Sequence, residues 1–310
     1  MRAYSIFDDF PSEATHLLEN AGIDVTVHPA GVPRPDSEQF VQLLDQYDCL
    51  IIGTSQKISE NMFDNVVTPK LLATASSGTD HIHIPENKRD LITVVNAPNS
   101  NAISVAEYIF GAMFLSRKRY FEGNILYSQT KDNKKLIKKP EDVYGSTIGL
   151  VGAGRISTRV LQLLQPMGVK SLCHTKNPAS HMDLVEKYSV EFVSLDELAH
   201  RSDIIAVNVP GNESTLNLIN EDIIKRMKDT CVFISISRSN VVDVNALFRK
   251  ANENENFYAV LDLDVVSEYA GMCNGRNFII TPHIAGGTIE GRNRLFMEAT
   301  ENIVKYSMKK

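Results

Sequence analysis

Short runs of β-branched and aliphatic residues alternate with amphipathic stretches along the whole chain. That alternation restricts the fold to parallel sheets flanked by helices. In the N-terminal third the predicted strands are Ala3–Phe7, Asp24–His28, Cys49–Ile52, Leu71–Ala75 and Thr93–Asn96. Helical spacing lies between them, as in Ser12–Ala21, where Ala14, Leu17 and Leu18 recur and Gly22 stops the helix. A second series starts at Thr147–Val151 and continues through Lys170–His174, Ile204–Val209, Cys231–Ser235, Tyr258–Leu261 and Phe278–Ile280. Two such series in 310 residues predict two doubly wound α/β domains, each long enough to bury its own core. Between the series, Asn101–Arg119 is apolar on more than one face through Val105, Ile109, Met113 and Leu115. A helix of that kind is expected to be buried between domains or subunits. Thr288–Met308 predicts a closing helix with Leu295, Ala299, Ile303 and Tyr306 on one side.

A net charge of -6 argues against a dedicated nucleic-acid binder, although a local positive pocket is still able to attract a small anion. The lysines of Lys134–Lys139 read as a solvated loop. Cys49, Cys173, Cys231 and Cys273 are far apart and never in CxxC spacing, which predicts reduced cysteines in a cytoplasmic protein. The N-terminus lacks the apolar run of a signal peptide, and Ile103–Leu115 is too short to span a bilayer, so no membrane partner is expected. His81 and His83 have no third ligand at useful spacing, so no metal is expected; they read as surface or half-buried loop residues, with a place at a cleft entrance as the other reading.

Gly149-Leu150-Val151 ends a strand, Gly152-Ala153-Gly154-Arg155-Ile156 makes a turn, and Val160–Leu164 continues as a helix. Glycines placed so let the backbone approach a pyrophosphate, which sits on the amides of a helix N-terminus. The third position of this Rossmann-like fingerprint is Ser157, a small residue that still permits close helix–strand packing. An NAD-specific site places an acid roughly 20 residues further on. This chain offers Thr175 and Lys176 there, which would tolerate or favour the 2′-phosphate of NADP; a solvated lysine beside NAD is the other reading.

From about Leu71 to Glu290 the chain resembles the D-isomer-specific 2-hydroxyacid dehydrogenase family. The matching segments are Ser76-Ser77-Gly78-Thr79-Asp80, Asn96-Ala97-Pro98, Asn101 to Glu107, Gly152 to Ile156, Ser237 to Asp243, Leu261-Asp262 and Thr281-Pro282-His283-Ile284-Ala285. The resemblance implies a discontinuous substrate domain, residues 1–98 and 288–310, with a dinucleotide-binding domain, 99–287, inserted and the active site in the cleft. It also implies a homodimer. Ser77 and Gly78 would offer amides to a substrate carboxylate, and Arg155 and Ile156 would lie against the pyrophosphate. Pro210 and Thr215 would stand near the adenosine, Asp262 against the nicotinamide carboxamide, and Val105 and Ser237 among the other cofactor contacts.

The chemistry follows from the residue types. A 2-oxo acid needs its carboxylate fixed and its carbonyl polarised before a hydride arrives. Arg238 supplies a planar, permanently charged fork for both tasks. His283 would give the proton to the developing alkoxide, or remove it in the oxidation direction. In the family a glutamate five residues after the aspartate pairs with that histidine; this chain has Ser267 there and Glu268 one place later. Glu268 is the candidate partner, and a solvated loop glutamate is the other reading. Gly53 stands where phosphate-using branches carry an arginine, which favours a small unphosphorylated acid, whereas Thr79-Asp80-His81 and the run after His283 look most like the erythronate-phosphate branch. A non-catalytic, nucleotide-sensing protein on the same scaffold is the alternative function, and a dehydrogenase for a phosphorylated acid the alternative substrate class.

Overall fold

A computed structural model of the chain describes residues 1–130, 139–264 and 268–309; the lysines at 134, 135 and 138 and Ser267 lie outside the described residues. The chain divides into two compact units, Met1–Asn101 with Thr288–Lys310, and Ala102–Gly287.

In the first unit β1 (Arg2–Ser5), α1 (Ser12–Asn20), β2 (Asp24–Val27), α2 (Ser37–Gln46), β3 (Cys49–Ile52), β4 (Lys70–Thr74) and β5 (Ile92–Val95) follow one another. The strands pair in parallel in the order β2-β1-β3-β4-β5. β3 and β4 are buried along their whole length. Covered on both faces, they read as continuous aliphatic runs rather than as alternating ones. Asp36 caps α2 by accepting from the Gln39 amide, while the Gln39 side chain accepts from the Asp36 amide.

The second unit runs α3 (Ala102–Arg117), α4 (Tyr120–Thr130), β6 (Thr147–Val151), α5 (Arg155–Leu164), β7 (Lys170–His174), α6 (Met182–Tyr188), β8 (Glu191–Phe192), α7 (Leu195–Arg201), β9 (Ile204–Val207), α8 (Glu221–Arg226), β10 (Val232–Ser235), α9 (Val244–Glu253), β11 (Tyr258–Asp262) and β12 (Phe278–Thr281). Its parallel sheet has the order β12-β11-β10-β9-β6-β7-β8. The direction of winding reverses between β6 and β9, and ligands of such sheets collect at the carboxyl ends of the strands on either side of that point. α3 packs on α5 and β10, with Val105, Ile109 and Met113 buried. That accounts for one apolar face of the helix within its own unit.

The closing helix α10 (Ile289–Ser307), capped by Thr288 accepting from the Gly291 amide, returns to the first unit. Its Phe296 is fully buried and meets Phe7 and Phe10 edge-on at centroid distances of 4.9 and 5.5 Å. Glu298 accepts from the Asn99 amide at 3.0 Å and from the Ser100 hydroxyl, and Asn302 donates to the Asn96 carbonyl at 2.9 Å.

Candidate active site

The turn after β6 has the geometry that a phosphate cradle requires. Gly152 has φ +105°, and a Cβ on it would stand 2.9 Å from Asn208 Oδ1. A Cβ on Gly154, by contrast, would meet nothing within 4 Å, and Gly154 gives α5 no side-chain cap. Open space before an uncapped helix N-terminus fits a dinucleotide pyrophosphate. Arg155 is exposed and Ile156 half-buried at the start of that helix.

Ser157 does more than stay small. It is fully buried, its hydroxyl donates to the Gly152 carbonyl, and it accepts from Asn208 Nδ2 at 2.8 Å. The residue at the third fingerprint position therefore ties α5 to its own turn and to the end of β9. Asn208 Oδ1 is buried with no hydrogen-bond partner beside this turn, an acceptor still to be satisfied. Asn208 carries no motif signal in the sequence.

At the end of β7, Thr175 is half-buried and Lys176 exposed, with its ammonium on the Ser214 carbonyl at 2.8 Å. Thr215 is buried, and its hydroxyl donates to the Pro210 carbonyl at 2.5 Å while accepting from the Asn212 amide. That hydroxyl is spent within the loop that carries the exposed Pro210. Ser237, likewise buried, ties its hydroxyl to the Val209 carbonyl at 2.9 Å.

Arg238 follows β10 by way of the Ile236–Ser237 turn. It is held on two sides. A Cβ on Gly211 would lie 2.5 Å from Arg238 Cβ and Cγ, so only glycine lets that loop pack there. Asp264 accepts from the Ser239 amide at 3.0 Å and stands 3.9 Å from Arg238 Nε. Asp264 is not among the residues the sequence singled out, since no pattern links it to Arg238 before the strands are set side by side.

Asp262, at the end of β11, is almost wholly buried. Oδ1 accepts from the Thr281 hydroxyl at 2.5 Å and the Ile284 amide at 2.9 Å, and Oδ2 accepts from the Ala285 amide at 2.8 Å. Because the Thr281 proton goes to Asp262, the Tyr108 hydroxyl of α3 must donate to Thr281 Oγ1, at 2.6 Å. Burial, helped by the Asp262 charge, pushes the Tyr108 phenol up to about 12, so it remains a donor. This buried carboxylate grips both sides of His283. His283 is exposed, with left-handed backbone at φ +52°, a conformation enforced by its neighbours.

Glu268 departs from the expected pairing. It is exposed and lies against Tyr269, whose phenol is held above its ordinary value by burial and then by the Glu268 charge. Among the described residues, the His283 imidazole has no hydrogen-bond or ion-pair partner, so the structure does not bring Glu268 onto it.

In the first unit, Ser77 and Gly78 lie just after β4 and are half-buried. Ser77 donates its hydroxyl to Asn101 Oδ1 at 2.7 Å and accepts at its carbonyl from Asn96 Nδ2, also at 2.7 Å. Among the described residues the amides of Ser77, Gly78 and Thr79 donate to no protein acceptor.

Residues 110–285 match the NAD-binding domain of the D-isomer specific 2-hydroxyacid dehydrogenases. The chain is 29% identical to a hydroxypyruvate reductase of Thermotoga maritima, over 96% of each protein. It is 32% identical to a glyoxylate reductase of Thermofilum pendens, over 91% of this chain and 84% of that one. The fold superposes on D-lactate dehydrogenase from Aquifex aeolicus, solved with NAD and lactic acid, with a TM-score of 0.79 and 25% identity over 100% of this chain and 96% of that one. A glycine turn before an uncapped helix in a doubly wound sheet, with these relatives at nearly full length, leaves one assignment: the chain belongs to the D-isomer specific 2-hydroxyacid dehydrogenases, enzymes that use a nicotinamide dinucleotide.

Proposed function

We propose that the protein reduces a small 2-oxo acid to its D-2-hydroxy acid, with Arg238 and His283 as the groups that act on the substrate. The observation that carries this reading is the left-handed His283, clamped on both flanks by one buried carboxylate while its ring stays exposed. The cofactor supplies the hydride. Arg238 fixes the carboxylate and polarises the carbonyl, and the amides of Ser77 and Gly78 donate to the same carboxylate. His283 delivers the proton to the carbonyl oxygen as it becomes an alkoxide. In this reading Glu268 pairs with His283 and raises its basicity. The ring of Phe7 lies against Gly53 and fills the space of a side chain there, which supports an unphosphorylated acid such as glyoxylate, hydroxypyruvate or pyruvate.

NADP is the preferred cofactor in this reading, because Lys176 sits beside the half-buried Thr175 and no acid stands there to repel a 2′-phosphate. A homodimer is supported by Ile103, Tyr120, Phe121 and Tyr127, exposed on α3 and α4. A reducing, cytoplasmic setting is supported by cysteines that are all free, three of them buried. No helix among the described residues is long and apolar enough to cross a membrane.

The test is NADPH against NADH oxidation over glyoxylate, hydroxypyruvate, pyruvate and a phosphorylated oxo acid. Turnover of an unphosphorylated acid with NADPH is expected. Turnover with NADH alone overturns the NADP preference, and turnover of the phosphorylated acid alone overturns the substrate class. Tight nucleotide binding with no turnover of any acid returns the non-catalytic reading.

A further inference from the structure

A buried hydroxyl relay runs under the loop that offers the three unpartnered amides. The Ser76 hydroxyl donates to the Gly78 carbonyl at 2.6 Å. Its single proton is thereby used, so the 2.7 Å contact with Thr74 Oγ1 requires Thr74 to donate to Ser76. The Thr74 proton is used in turn, so the 3.1 Å contact between Thr74 Oγ1 and His81 Nε2 requires His81 to donate. The order has one direction: His81 Nε2–H to Thr74, Thr74 to Ser76, Ser76 to the Gly78 carbonyl. Thr74 is fully buried and Ser76 nearly so, so solvent offers neither of them a substitute partner.

The histidine is itself pinned from below. The Ile58 amide donates to the His81 carbonyl and the His83 amide to the Ile58 carbonyl, both at 2.8 Å, a parallel bridge that fixes the backbone on each side of the ring. A relay that served only to satisfy core hydroxyls could end on any carbonyl. This one ends on Gly78, between the two flanking amides of Ser77 and Thr79 that have no protein acceptor among the described residues.

We propose that His81 is a positioning residue for substrate binding, acting through Thr74 and Ser76 to hold the Gly78 carbonyl so that the Ser77–Thr79 amides stay preset for a carboxylate. The proposal rests on the reading that those amides take the substrate carboxylate. Presetting them lowers the ordering cost when the anion arrives, and it leaves the cofactor turn, built from other residues of the second unit, untouched.

Three variants test it: Thr74→Val, His81→Phe and His81→Gln, each assayed for oxo-acid KM, NADPH Kd and amide hydrogen exchange across residues 76–80. With the relay cut, Thr74→Val and His81→Phe should raise KM by about tenfold, leave NADPH Kd within about twofold, and speed exchange in the loop. His81→Gln, which keeps a side-chain N–H, should recover KM to within about threefold of wild type. Unchanged KM and exchange in both cut variants overturn the proposal. So does a His81→Gln that behaves as His81→Phe does, since packing rather than donation is then responsible. A wild type that turns over no oxo acid sinks the substrate assignment instead, and the exchange data still decide whether the relay orders the loop.

Discussion

His283 sits at φ +52°, and this limits how it can be probed. Alanine removes the ring but also strains a left-handed position, so a loss of activity would mix two causes. Asparagine tolerates that backbone far better. His283→Asn is therefore expected to keep the melting temperature while lowering kcat by about 10²–10⁴-fold, the usual worth of a positioned acid–base group. A kcat within a few-fold of wild type would remove His283 from the chemistry. Asp262 works in the opposite sense. Its two oxygens hold the Thr281 hydroxyl and the Ile284 and Ala285 amides, so its first task in this structure is to shape the turn. The family resemblance marked Asp262 for the nicotinamide carboxamide; the partners that occupy it come from β12 and the turn beyond.

Among the elements, α10 shows how a single helix can decide the stability of a unit. Phe296 fills the space between Phe7 and Phe10, and its truncation leaves a cavity that a stiff parallel sheet cannot collapse into. Phe296→Ala should cost about 3–5 kcal/mol in a urea titration of the folded enzyme. A shift below about 1 kcal/mol would show that the site repacks. The strands were legible from sequence to within one or two residues, because buried parallel strands are continuous β-branched runs bounded by turns. β8 was not legible: Glu191–Phe192 is too short for any period and exists only because β7 offers an edge. The glycine turn was legible because its spacing sets the backbone it forms, and Arg238 and His283 stood out because their residue types suit the proposed chemistry. Asn208, Asp264 and Tyr108 were not, since each matters through a partner at least 25 residues away. Glu268 marks the other limit: it stands one place beyond the family position, and the neighbour it meets is Tyr269.

At the scale of the molecule, the exposed apolar residues of α3 and α4 argue for self-association. Ile103 and Phe121 are just over a third exposed, while Tyr120 and Tyr127 are nearly two-thirds exposed. Sedimentation at micromolar concentration should return twice the chain mass of 34.5 kDa, and Phe121→Glu with Tyr127→Glu should return the monomer. A monomeric wild type would dismiss the dimer. The two units also differ in how the chain completes them. Residues 102–287 are contiguous, whereas the first unit needs both ends of the chain. As a ribosome makes the protein, the first hundred residues emerge with Phe7 and Phe10 lacking the ring that will seat between them. The second unit can close while they wait. The N-terminal sheet is therefore the last part to mature, and a nascent chain halted before α10 exposes an open apolar seam of the kind that chaperones bind.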